Sequence, residues 1–81
     1  METVWVVWSL RALCAGPWQF VGICRDAEAV RAMIEKTGTI FNVVQEADNA
    51  LHYEVDVNDT VYQYQAELIG VWHPELETTV A

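Results

Sequence analysis

His52, Glu54 and Asp56 stand at alternate positions of a stretch that alternates apolar and polar residues from Leu51 to Val57. On an extended strand such residues share one face, at steps of roughly 6.5 to 7 Å. An imidazole and two carboxylates in a row suit zinc or manganese if a further ligand arrives from a neighbouring strand. The wet side of a half-covered strand produces the same alternation without binding anything. That plainer origin is the expectation here, with no metal and no cofactor.

Other catalytic groupings are thin. The histidines are His52 and His73, the one serine is Ser9, and neither Cys14 nor Cys24 lies in a local thiol-enzyme signature. Gly16, Gly22, Gly38 and Gly70 are isolated, so no Gly-rich phosphate loop exists, and no HExxH or EF-hand pattern occurs. The chain is expected not to be an enzyme. Tyr53, Tyr62, Tyr64 and the Trp residues could stack on a ring, but they read more simply as cross-strand core pairs.

The acids carry a sharper signal. Arg11, Arg25, Arg31 and Lys36 are all the strong bases of the chain, and Glu2, Asp26, Glu28 and Glu35 balance them within residues 1–36. The formal charge of -8 therefore belongs to residues 37–81, as Glu46, Asp48, Glu54, Asp56, Asp59, Glu67, Glu75 and Glu77. Carboxylates spread over a hairpin and its turns can imitate nucleic-acid phosphates and enter the Lys/Arg groove of a basic protein, associating fast and weakening with salt. The same charge would repel nucleic acid or an anionic membrane met directly. The candidate partner-binding residues are Glu46, Asp48, Glu54, Asp56 and Asp59, with Trp or Tyr as anchors. The competing reading is that net negative charge merely keeps a Trp-rich small protein soluble.

These residues must be placed by strands. Val4 to Trp8 is apolar at both parities, as for a central strand covered on both faces. Ala15-Gly16-Pro17 signals a turn, and Trp18 to Cys24 follows as a second strand of an antiparallel hairpin. Asp26 offers an N-cap, Glu28 favours the first turn, Lys36 the last, and Gly38 the stop, which together predict a helix. Its apolar stripe is Ala27, Val30, Met33 and Ile34. Further strands are predicted at 39–45, 51–57 and 60–69. Asn58-Asp59 is a two-residue turn that would pair Val57 with Thr60, Val55 with Tyr62 and Tyr53 with Tyr64. The fold class is α+β, a mainly antiparallel sheet of about five strands in ββαβββ order with one helix on one face. Residues 1–72 form a single domain and 73–81 a flexible tail.

The stretch Phe20-Val21-Gly22-Ile23-Cys24-Arg25-Asp26-Ala27-Glu28-Ala29-Val30 resembles a pattern of very small phage and prophage proteins: a strand pair ending in a Gly-Val-Phe-like stretch, a capped Glu-Ala-rich helix and a closing meander. Cys24 replaces the usual aromatic, and the acidic hairpin lies outside the pattern. In size and charge the chain is also similar to phage inhibitors of host defence, including anti-CRISPR proteins. The resemblance implies a viral or mobile-element protein and transfers no site residues.

With 81 residues the chain makes one small domain, yet 53% of it is hydrophobic and four residues are Trp. That surplus points to a homodimer as its sink. Cys14 and Cys24 would lie at opposite ends of a strand, too far apart for a disulfide. The opening Met1-Glu2-Thr3 lacks a basic signal-peptide region, and the Val4–Trp8 run is too short to cross a bilayer, so a cytoplasmic location is expected. The expectation is a non-enzymatic acidic protein that inhibits a basic, nucleic-acid-handling host protein. The alternatives are a small-ligand or metal-binding module at a dimer interface, using His52 and Glu54, and an oligomeric structural or accessory protein.

Overall fold

In the computed structural model, which describes residues 2–11 and 17–71, the chain runs β1 (Glu2–Arg11), β2 (Gln19–Cys24), α1 (Ala27–Thr37), β3 (Thr39–Glu46), β4 (Ala50–Val57) and β5 (Thr60–Val71). The five strands form one antiparallel sheet in the order β2-β1-β5-β4-β3, and α1 packs on one face. The architecture is the α+β one that the residue pattern predicts. The expected tail at 73–81 lies outside the described residues, as does Cys14.

The β4–β5 hairpin forms in the register read from the alternation: Val57 pairs with Thr60, Val55 with Tyr62 and Tyr53 with Tyr64. Asn58 and Asp59 both have positive φ, 51° and 64°, the backbone of a two-residue turn whose twist matches that of the strands. Asp56 Oδ1 accepts from the Asp59 amide at 2.9 Å and braces the corner.

Asp26 caps α1, its Oδ1 accepting from the Ala29 amide at 2.8 Å. At the other end Thr37 Oγ1 donates to the Ile34 carbonyl at 2.7 Å, and Gly38 follows. Gly38 is extended rather than left-handed, with φ -173°. Glycine is required there for room, since a Cβ would collide with the Asp56 carbonyl oxygen and come within 2.8 Å of Val57 Cγ2. β4 therefore passes directly against the exit of the helix.

Val30 and Ile34 are the fully buried residues of α1, packed on a core of Trp5, Val7, Cys24, Leu51, Tyr53, Val55, Tyr64 and Ala66. Met33 and Ala29 pack beside them, and Cys24 Sγ lies 3.9 Å from Met33 Sδ. Ala27, expected on the apolar stripe, is exposed. A single helix of 11 residues cannot cover a sheet five strands wide, so the stripe narrows to the residues above its middle.

β1 is internal, as expected, but an element covers only one of its faces. Trp5 and Val7 face the helix, while on the other face Trp8 is 36% exposed and no described element lies over β1. A run that is apolar at both parities was read as covered twice. Here the second set of apolar side chains lines an open face. β3, the edge strand, carries two register shifts, around Phe41 and around Val44, which leave both residues about half exposed. Bulges of this kind spoil an edge for pairing with another chain.

Candidate functional site

The strand geometry divides the five candidate acids among three settings. Glu46 ends β3 and Asp48 lies in the following turn, at one end of the sheet. Asp59 lies in the β4–β5 turn at the other end, roughly 20 Å away along β4. Glu54 and Asp56 point to the face away from the helix, in register with Gln63 and Val61. The five candidate carboxylates are thus spread over both ends of the sheet and one of its faces.

At the Glu46 end a cleft of about 460 Å³ opens between the first turn of α1 and the β3–β4 turn. Trp5, Leu51 and Tyr53 line it from the core, and Glu28, Asp48, Glu46 and Arg31 line it with charge. Arg31 Nη1 lies 3.6 Å from Glu46 Oε2 and its Nε lies 3.7 Å from Glu35 Oε1. The guanidinium carbon stands 5.9 Å from the centre of the Tyr53 ring. Tyr53 in turn donates its hydroxyl to Glu46 Oε2 at 3.0 Å. Burial, and next the bond to Glu46, push the Tyr53 phenol above its ordinary pKa. The cleft thus offers an aromatic floor and more acid than base, an environment suited to a cationic side chain.

On the open face the polar row is held by neutral partners. His52 Nε2 and Gln63 Oε1 are 2.9 Å apart, and Asn42 Nδ2 donates to Glu54 Oε1 at 2.6 Å. Trp18 packs edge-on against His52, ring centres 6.4 Å apart. Among the described residues no three His, Cys, Asp or Glu side chains lie close enough to share a metal ion. Cys24 is buried, which raises its thiol pKa, with Asp26 adding to the effect. A thiol held neutral in this way is a poor nucleophile.

Sequence reasoning missed Trp5, Glu28, Arg31 and Tyr53 as parts of a cleft. In the linear pattern Glu28 is a first-turn acid, Arg31 one of four bases, and the two aromatics strand residues. Nothing in the linear pattern signals that the end of β3 returns beside the start of α1. No helix among the described residues is long and apolar enough to cross a membrane. No protein-family model matches the chain, and no curated protein or solved structure shows significant similarity to it.

Proposed function

We propose that this chain is a non-enzymatic acidic protein of phage or mobile-element origin that binds a basic, nucleic-acid-handling host defence protein and blocks it from the host cytoplasm's nucleic acid. One observation carries the reading: strands β3, β4 and β5 with their turns hold Glu46, Asp48, Glu54, Asp56, Asp59 and Glu67 and not one Lys or Arg. Exposed carboxylates set on a rigid sheet lose little conformational freedom when a Lys/Arg groove closes on them. Their spread over two ends and a face suits an extended groove better than a point contact. The cleft of Glu46, Asp48, Tyr53 and Trp5 would take one inserted Lys or Arg as an anchor.

The test uses the immobilised chain and host lysate at low and at about 0.5 M salt, where the screening length falls to a few ångströms. A captured protein should be released by salt and should lose its nucleic acid when the chain is added in excess. A captured protein that still binds nucleic acid at saturating chain overturns the reading. A second reading, a module for a small cationic ligand, rests on the same cleft, whose volume falls within the range of ligand pockets. A ligand mass retained in native mass spectrometry of protein from its own host would favour it.

A further inference from the structure

The face of the sheet opposite α1 is split along its length. Its β2-β1-β5 half presents Trp8, Phe20, Ile23 and Ile69, respectively 36%, 58%, 61% and 41% exposed, with Val6 buried among them. The register confirms a shared face: Val6 pairs with Ile23, Trp8 with Phe20, and Val4 with Ile69. Trp8 and Phe20 already meet edge to face at 5.7 Å. The β4-β3 half presents His52, Glu54, Asp56, Asn42 and Gln45. Trp18 stands near the boundary, lining a shallow cleft with Trp8, Gln65 and Glu67.

We infer that the apolar half is covered by a second copy of the same chain, face to face, about a twofold axis running parallel to β1. Charge selects this arrangement among the face-to-face ones. An axis across the strands would stack each β4 on its own copy and set Glu54 and Asp56 against themselves, across about 10 Å between packed sheets. An axis along β1 stacks Trp8 on the Trp8 of the second copy and sends the two acidic halves to opposite flanks. It also lays β2 of one copy over β5 of the other. Cys24 is level with Trp5 and Glu67 with Val6, so Arg25 comes within about 7 Å, along the strand, of Glu67 in the second copy, a gap an arginine side chain covers. Within one copy, among the described residues, neither Arg25 nor Glu67 belongs to an ion pair. The twofold supplies that pairing twice.

Three strands about 4.8 Å apart and some seven residues long give a projected patch on the order of 350 Å² per copy. That is a small interface, so the dimer should be reversible, with a dissociation constant on the order of 10–100 µM. It is independent of the basic-partner reading and leaves β3 and β4 of both copies free for it.

Sedimentation velocity of the full chain at increasing concentration is the test. Wild type should pass from monomer to dimer over roughly 5 to 500 µM. Ile23→Asp and Phe20→Asp, at sites already more than half exposed, should keep the far-UV spectrum and raise the dissociation constant at least tenfold. Val44→Asp, equally exposed but on the bulged edge β3, should leave it unchanged. Arg25→Glu and Glu67→Arg should each weaken the dimer, and the two together should restore it. A wild type that stays monomeric throughout overturns the inference and leaves the face to another occupant, residues 72–81 of the same chain included. A dimer broken by Val44→Asp but not by Ile23→Asp overturns it as well, in favour of edge pairing.

Discussion

Replacing Ile34 with Ala tests the packing of α1 on the sheet that carries the acids. Ile34 is 1% exposed, and with Val30 it makes the fully buried contact between α1 and the sheet. The substitution removes three carbons, worth about 0.8 kcal/mol each in transfer from water, or roughly 2.4 kcal/mol. Residual void adds about 24 cal/mol per Å³, so some 40 Å³ left uncollapsed contributes about 1 kcal/mol more. The single helix has no neighbour that could slide in, which favours the upper part of the range. A loss of about 2.5 to 4 kcal/mol is expected, against a total stability of roughly 4 to 12 kcal/mol for a domain of this size. Urea unfolding followed by Trp fluorescence at about 1 µM chain, below the dimer range, reads it out. With a slope of about 1 to 1.5 kcal/mol per molar urea, the midpoint should fall by roughly 2 to 4 M. Glu35→Ala, on the wet side of the same helix, should move it by less than about 0.5 M. An equally small shift for Ile34→Ala would refute the claim that the helix seals this core.

Other consequences follow from single contacts. Gly38→Ala should cost more than about 2 kcal/mol in the same urea assay, because the new Cβ collides with the Asp56 carbonyl and backbone cannot yield as a side chain would. Asp59→Gly should stabilise by about 0.5 to 1 kcal/mol, since it relieves a non-glycine residue at φ 64° while the amide that bonds Asp56 remains. The thiol of Cys24 and the phenol of Tyr53 both have raised pKa values in the fold, so each favours the native state while it keeps its proton. Stability should thus be full below the ordinary thiol range and fall as pH rises through the folded-state values, Cys24 first and Tyr53 next. Thermal unfolding between pH 7 and 11 should show that decline, and Tyr53→Phe should flatten its upper part.

The parts of this fold that were legible in the sequence are those in which local chemistry and tertiary packing agree. Asn58-Asp59 sits between two strictly alternating runs, so the turn and the burial pattern demand the same register. Asp26, Glu28 and Lys36 mark the ends of α1 in the same way. Legibility failed where a residue's role depends on something distant in the chain. Ile40 to Gln45 contains no clean alternation, and the two bulges of β3 are set by its fit to β4. Gly38 reads as the helix stop, which it is, but the reason that only glycine fits there, the backbone of Asp56, is 18 residues away. The candidate acids were identifiable by type alone. Their separation onto two ends and one face follows from strand direction, and the companionship of Glu46 with Arg31 and Tyr53 from the return of β3 beside α1.

The most direct test of the central claim replaces acids that no described cation contacts. The variant Asp48→Lys/Glu54→Lys/Asp56→Lys reverses charge at one end and on the open face while sparing Glu46, which is bonded to Tyr53 and Arg31. It should keep the wild-type far-UV spectrum, and its affinity for the captured basic protein should be measured at about 0.1 M salt, where the screening length is near 10 Å. Three reversals of exposed pairs, each worth about 0.5 to 1 kcal/mol or more once attraction becomes repulsion, should weaken binding by at least about 10-fold and flatten its dependence on salt. A folded variant that binds the same protein with unchanged affinity and unchanged salt dependence would contradict the account.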